Sequence, residues 1–418
     1  MPYVLGMDIG STSTTAAVAR WRGETWARPE VVALGGASHA VPSVLHLAPD
    51  GSLTVGEAAT DDCSRVTRDF VRRIGDDVPL LLGGEPCAPQ TLVAELAMWV
   101  VERVSAREGE FAEAVVLSHP AGWGRHRRDL LHRALRDLGL RNVTLLPRPV
   151  TVAESHAARG FPGTTAAVYA LGGNTFEAAL VRRVPGGTYE AFGLAQSLET
   201  AAGSDFDEAL AEHVRTVLGR EFGAGRAPHP TPHGLLPACD RAKRELTVAT
   251  ETDVLLTPPT GPVRVPVTRA QFEDLIRPAV RAGVELLIRT VQSAGLAPTQ
   301  LDGVLLAGGS ARIPLVTELL AAAVPVPVEV EPDPQLTAAT GAALAAGQVV
   351  SPRPRRPAPA AATRPVSGAA APVPAWPLPE PEHTVHGEPP PRPPVRITPL
   401  SLPKASRLAL ARGRGREG

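Results

Sequence analysis

Three glycine-rich turns carry the residue types best suited to binding phosphate groups. The first turn, Gly10-Ser11-Thr12-Ser13, interrupts the apolar stretch Val4–Ala19, and the second, Gly172-Gly173-Asn174-Thr175, interrupts Ala167–Val181. An apolar run, a Gly/Ser/Thr turn and a second alternating run predict a β-hairpin whose turn exposes backbone N–H groups. Two such turns can hold a polyphosphate from opposite sides.

The third turn differs from the other two because a helix follows it. The strand-like run Gly303–Ala307 leads into Gly308-Gly309-Ser310-Ala311-Arg312, and a helical pattern covers Leu315–Ala323. Glycine lets a ligand approach the backbone closely, and the first N–H groups of a helix are unpaired. A strand, a glycine turn and a helix N-terminus therefore favour a nucleotide-binding role, and three turns in this order are far more specific than one.

Alternating strand and helix patterns surround these turns and predict an α/β protein. The chain is long enough for two or three domains with sizeable cores. We predict a strand at 114–117, helices at 91–107, 124–140, 205–218 and 271–294, a Pro/His-rich loop at 227–237 and strands within 252–267.

The ordered set of turns resembles the seventy-kilodalton heat-shock (DnaK-type) chaperone family, specifically its nucleotide-binding domain. Roughly residues 1–348 take part in the resemblance. An ordinary α/β protein with glycine turns would not explain the shared order. Further short matches lie at 55–59, 120–123, 203–207, 240–247, 268–272 and 338–344. The resemblance implies the two-lobed actin-like ATPase fold, in which ribonuclease-H-like cores carry inserted subdomains.

On this basis we expect three regions. Lobe I covers 1–159 with an insert at about 31–104, and lobe II covers 160–348 with an insert at about 201–300. The segment 349–418 is rich in Pro, Ala and Arg, a composition typical of a disordered tail with polyproline II character. This tail stands where the family has its peptide-binding domain and helical lid, so we expect neither in this chain.

The resemblance implies a site for ATP or ADP with Mg²⁺. Asp8 matches the aspartate that holds the metal ion through water, and Arg244 and Arg312 match residues that would stack on the two faces of adenine, as planar guanidinium groups do well. Asn174 replaces a glycine, and asparagine tolerates the left-handed backbone that such a turn can need. The residues implied to contact the nucleotide are Gly10, Ser11, Thr12, Ser13, Gly172, Gly173, Asn174, Lys243, Arg244, Thr247, Gly308, Gly309, Ser310 and Arg312.

The residues that the family uses for hydrolysis are changed at three positions. Ala170 stands in place of an aspartate that helps to activate water, Val71 in place of a lysine, and Arg148 in place of a glutamate. The chain has no lysine before Lys243, so the missing charge could come from Arg72 or Arg73, or from Arg148, which would at the same time remove a metal-site carboxylate. Thr175 and Glu177 remain as the candidate catalytic residues.

Two main hypotheses follow. In the first, the chain is an ATP-binding switch or scaffold with weak or absent hydrolysis; in the second, it is an active ATPase that uses Glu177 and the arginines. A small-molecule kinase and a filament-forming actin are less favoured alternatives. Phosphate release measured beside equilibrium ATP binding would separate the first two. We expect protein partners too, but the sequence does not identify them.

Charge and cysteine usage exclude other classes. The net charge of −1 gives no general attraction to nucleic acid or anionic membranes. Cys63, Cys87 and Cys239 have no paired spacing, which argues against a disulfide framework and a zinc site. We find neither a signal-peptide pattern at the N-terminus nor an apolar run of about 18 residues, and we therefore expect a cytoplasmic protein without a transmembrane segment.

Overall fold

The computed structural model describes residues 1–36, 38–56, 62–222, 232–257 and 261–350, without the side chains of 221, 222, 232 and 233. The strands are β1 (Tyr3–Ile9), β2 (Ser13–Arg20), β3 (Glu30–Val31), β4 (Ala40–Pro42), β5 (Leu45–Leu47), β6 (Leu53–Val55), β7 (Val66–Thr67), β8 (Leu80–Leu82), β9 (Glu85–Cys87), β10 (Val115–His119), β11 (Val143–Pro147), β12 (Thr165–Leu171), β13 (Phe176–Arg183), β14 (Tyr189–Leu198), β15 (Glu251–Leu256), β16 (Val263–Thr268), β17 (Gly303–Ala307) and β18 (Val328–Glu329). The helices are α1 (Pro89–Glu108), α2 (Arg125–Asp137), α3 (Arg148–Ala158), α4 (Gly203–Phe222), α5 (Pro232–Leu246), α6 (Arg269–Ser293), α7 (Pro314–Ala323) and α8 (Thr337–Val350).

Two sheets of the same design form the framework. In the first, the order is β11-β10-β1-β2-β3, with β4 also pairing with β2; in the second, it is β14-β13-β12-β17-β18. The hairpins β1–β2 and β12–β13 are antiparallel, and each first strand also pairs in parallel with β10 or β17. This repeated arrangement confirms the expected actin-like α/β fold.

Helices cover both faces of each sheet, which explains why β1 and β12 are almost continuously apolar. One face of the first sheet shares a hydrophobic core with α1 and α2, and one face of the second shares a core with α4 to α7. The opposite faces carry α8 and α3, respectively. Since α3 and α8 also pack against each other, this helix pair joins the two sheets.

Smaller sheets are added to this framework. In the chain, the sheet β6-β5-β7 and the hairpin β8–β9 come between β4 and α1, and the hairpin β15–β16 comes between α5 and α6. The proposed lobe boundaries and inserts stay predictions. The predicted loop at 227–237 is wrong at its C-terminal end, because α5 begins at Pro232, which can occupy the first turn of a helix.

The predicted tail lies outside the described residues, apart from 349–350, which complete α8. Among the helices that the structure describes, none is long and apolar enough to cross a membrane.

Gly341→Ala should destabilise the protein, although alanine is the better helix former. A Cβ atom at this position of α8 would lie 1.6 Å from the carbonyl oxygen of Thr151 in α3, so the two helices would have to separate. Overpacking of this kind costs about 1–3 kcal/mol. Thermal unfolding should show a lower Tm than that of the wild type.

Gly219→Ala is the matched control, because position 219 of α4 has open space around its Cβ site. Its Tm should stay level or rise, since alanine stabilises a helix by up to about 1 kcal/mol relative to glycine. Equal Tm values for Gly341→Ala and the wild type would contradict the close packing of α3 on α8.

Candidate functional site

A cavity of about 680 Å³ opens between the turns of the two sheets. Its size is typical of a small-molecule site. The structure brings all of the sequence-predicted site residues to its wall: Asp8, Gly10, Ser11, Thr12, Ser13, Gly172, Gly173, Asn174, Thr175, Glu177, Lys243, Arg244, Thr247, Gly308, Gly309, Ser310 and Arg312. Residues up to 304 positions apart in the chain thus face one space.

The two hairpin turns close in the same way and contact each other. Gly10 N–H donates to the Ser13 carbonyl at 3.0 Å, and Gly172 N–H donates to the Thr175 carbonyl at 2.9 Å. A Cβ atom on Gly173 would lie 2.4 Å from the Thr12 side chain, so only glycine permits this approach. The two turns therefore lie close together in the wall of the cavity.

Asn174 does not need the left-handed backbone that we expected for it, since its φ is not positive. Its side-chain amide instead donates a hydrogen bond to Asp69, and Asp69 itself has a φ of 57°. Asn174 thus makes a contact with another residue of the cavity wall.

The third turn is tied to the second. Gly308 has a φ of 91°, and a Cβ atom there would lie 2.2 Å from the Leu171 carbonyl oxygen. Ser310 Oγ donates to the Gly172 carbonyl at 3.0 Å, and Gly203 N–H at the start of α4 donates to the same oxygen at 3.0 Å. The second turn, the third turn and α4 therefore hold one another in place.

Charged side chains line the end of the cavity formed by α5 and the third turn. Lys243 Nζ lies 3.0 Å from the Gly203 carbonyl, 2.7 Å from Asp207 and 3.2 Å from Asp240, so its three N–H donors already have partners. Arg244 pairs with Asp240 at 2.7 Å, and Arg312 pairs with Asp333 at 2.9 Å. Lys243 holds the wall together, while the two partly exposed guanidinium groups are anchored at one end only.

The floor of the cavity contains a buried cluster of charges. Arg148, the first residue of α3, donates from Nε to Asp8 Oδ1 at 3.0 Å, and its Nη1 lies 3.9 Å from Glu177 Oε2. Ser118 Oγ donates to the same oxygen of Asp8. Ala121 N–H donates to Glu177 Oε1 at 2.5 Å, whereas Glu177 Oε2 has no hydrogen-bond partner among the described residues.

Burial and charge act in opposite directions on this cluster. Burial raises the pKa of Glu177, although the Arg148 charge and the N–H groups of Ala121 and Gly122 lower it. Burial also opposes the charged form of Arg148, but the charges of Asp8 and Glu177 and the hydrogen bond to Asp8 outweigh this and raise the pKa of the guanidinium. Arg148 therefore stays charged and ties the two carboxyl groups together.

Two of the three positions that the resemblance assigns to hydrolytic groups, 170 and 71, hold apolar side chains. Ala170 and Val71 line the cavity but belong to its hydrophobic surroundings. Arg72 also lines the cavity and pairs with Glu199 at 3.2 Å. Arg73 is instead bound to Asp76 at 2.8 Å. Arg72 and Arg148 therefore lie at the cavity wall, whereas Arg73 does not line the cavity.

Sequence reasoning missed Ser118 and Gln335. Ser118 is paired with Asp8 in the register of the parallel strands β10 and β1, so a correct strand alignment would have found it. Gln335 donates to Ser13 Oγ at 3.1 Å from a segment with no recognisable motif.

Asp207 should make the protein less stable as the pH rises from about 4 to about 6. Burial raises the pKa of this carboxyl to about 6, even though Lys243 lowers it, whereas an unfolded aspartate titrates near ~3.9. The folded state therefore binds more protons in this range, and the free energy of unfolding falls by at most about 1.4 kcal/mol per pH unit.

Urea unfolding of the wild type and of Asp207→Asn across this range measures the effect. The variant lacks the titrating group, so the difference in free energy between the two proteins should change with pH and become constant above about 7. A pH-independent difference would contradict the raised pKa.

Two comparisons with known proteins found matches that cover most of the chain. The model of the Hsp70 protein family matches residues 63–357, well over half of the chain. The chain is also similar to the chaperone protein DnaK of Elusimicrobium minutum (strain Pei191), at 28% identity over 360 residues, which cover 83% of this chain and 58% of that protein. It thus spans less than two thirds of that relative's length. The chain belongs to the Hsp70 family.

Proposed function

We propose that this protein binds ATP and ADP in the cavity between its two sheets and acts as a nucleotide-dependent switch or scaffold with very slow or absent hydrolysis. The convergence of three glycine turns on one cavity is the observation that carries the proposal. The Hsp70 family generally uses ATP and ADP. We infer that the switch acts on a protein partner and not on nucleic acid, because the near-neutral chain has no general attraction to nucleic acid. We also infer a cytoplasmic location.

The residues that line the cavity support the binding of ATP and ADP. Gly10, Gly172 and Gly173 have no side chain that would keep phosphate oxygens away from the first two turns. The N–H groups of Gly10 and Gly172 are already bonded to carbonyls, so the other N–H groups of these turns are the ones that would donate to phosphate. At the other end, Arg244 and Arg312 are anchored by aspartates and offer planar cations for stacking on adenine. The glycine turns suited to a polyphosphate and the arginines suited to a base thus lie at opposite ends of one cavity.

Weak hydrolysis follows from the same wall. The methyl group of Ala170 lies across the hairpin from Glu177 and cannot accept a proton from water. Losing one positioned catalytic group costs on the order of 100-fold in rate or more. One observation supports the opposing hypothesis of an active ATPase. Glu177 Oε2 is buried without a hydrogen-bond partner among the described residues, so it can accept a proton from water.

Gly309→Val should weaken ATP and ADP binding by about tenfold or more, which corresponds to about 1.4 kcal/mol. A Cβ atom at 309 would meet Gln335 at an ordinary 3.7 Å, so the variant should fold while its side chain occupies ligand space. Gly124→Val is the matched control, since position 124 has open space and does not line the cavity. Arg312→Ala should also weaken binding, through lost stacking.

Isothermal titration calorimetry measures these affinities, and thermal unfolding confirms that the variants are folded. The proposed site is wrong if folded Gly309→Val binds both nucleotides as tightly as the wild type does. Failure of the wild type to bind either nucleotide would refute the proposed function itself.

Ala170→Asp should raise the rate of phosphate release above the near-background rate that we expect for the wild type. The new carboxylate would lie beside Glu177 on the same face of the hairpin, where it can orient water. Ala170→Asn, which has nearly the same shape but no basic oxygen, is the control and should stay slow. Rapid release by the wild type that Glu177→Ala abolishes without loss of ATP affinity would establish the active-ATPase hypothesis instead.

A further inference from the structure

The floor of the cavity does not fit the magnesium ion that the Hsp70 family generally uses with its nucleotide. Mg²⁺ requires about six oxygen ligands in octahedral geometry and is held through carboxylates, phosphates and water. Here Arg148 Nε lies 3.0 Å from Asp8 Oδ1, and Nη1 lies 3.9 Å from Glu177 Oε2. A guanidinium therefore stands between the two carboxyl groups and would repel a divalent cation from both.

The oxygens that a metal ion would need are also engaged. Asp8 Oδ1 accepts hydrogen bonds from both Arg148 and Ser118, and Glu177 Oε1 accepts one from Ala121 N–H. Among the described residues, no group of three or more His, Cys, Asp or Glu side chains is placed to hold a metal ion.

Arg148 cannot easily leave this position. Arg148 is the first residue of α3 and is followed by Pro149. Thr151 Oγ1 donates a hydrogen bond to the Arg148 carbonyl at 2.9 Å, which holds the backbone of the first helical turn. The side chains of Arg148 and Asp8 are only 14% and 15% exposed. Withdrawing the guanidinium would leave two acidic side chains in a largely buried space without their cation, which is costly.

We propose that Arg148 is a built-in cation that takes the place of the metal ion, so that this protein binds ATP and ADP without magnesium. The inference rests on the proposed nucleotide binding. A guanidinium has five N–H donors, of which Nε–H is given to Asp8. The Nη1 and Nη2 groups make no hydrogen bond to other described residues, and Arg148 lines the cavity. They can donate to a phosphate in the paired geometry that arginine favours.

The test is calorimetric titration of the full chain with ATP and with ADP, in excess EDTA and in Mg²⁺. Wild-type affinities should differ by less than about threefold between the two conditions. Arg148→Lys keeps a cation and should remain insensitive to metal, while Arg148→Gln should lose about tenfold or more in EDTA, because it lacks the charge.

Arg148→Glu provides the reciprocal test, since it turns the floor into three carboxyl groups. Its nucleotide affinity should become dependent on Mg²⁺, and Mg²⁺ alone should raise its Tm but leave the wild-type Tm unchanged. If Arg148→Glu does not fold, Arg148→Gln and Arg148→Lys still decide the question.

The outcomes separate this inference from the proposed function. Wild-type binding that requires Mg²⁺ overturns the built-in cation and leaves nucleotide binding standing. Unchanged affinity of Arg148→Gln in EDTA overturns the contact between Arg148 and phosphate. No wild-type binding in either condition overturns the proposed function.

Discussion

The packing of α8 against both α3 and the first sheet is the constraint on which the rest of the structure depends. Position 341 has no room for a side chain because the Thr151 carbonyl occupies it, and Gly6 of β1 has none because the backbone of Ala343 does. The small residues of α8 let one helix touch a strand and another helix at backbone distance. Since α3 lies on the second sheet, the contact between α3 and α8 fixes the position of one hairpin turn relative to the other.

The same packing determines the chemistry at the floor of the cavity. Because Arg148 begins α3, fixing the helix also fixes the guanidinium between Asp8 on the first sheet and Glu177 on the second. Each charge depends on the others, since removing one partner from a buried ion pair costs about 3–5 kcal/mol. The cluster is therefore a second link between the sheets, formed by charge instead of close packing.

Local patterns predicted the two hairpins and several of the longer helices, but contacts distant in sequence could not be inferred from them. The helix α6 was predicted from its periodicity and the hairpins from their turns, and the structure adds a capping box of Thr268 and Gln271 at the start of α6. In contrast, the bond from Arg148 to Asp8 joins residues 140 positions apart. Asn174 shows the same limit, since local reasoning addressed its backbone, whereas its side chain contacts Asp69 from another part of the chain.

The resemblance implies three departures from the family pattern, and their charges can be counted together. An aspartate, a lysine and a glutamate carry one net negative charge, and a divalent cation beside them makes this one net positive charge. Ala170, Val71 and Arg148 carry one net positive charge without any metal ion. A triphosphate would meet the same net charge in both cases, because the field at the ligand depends on the sum of nearby charges. Hydrolysis depends instead on the position of individual groups. This supports the proposed function, in which these substitutions preserve the attraction for a nucleotide and remove the groups that would activate water.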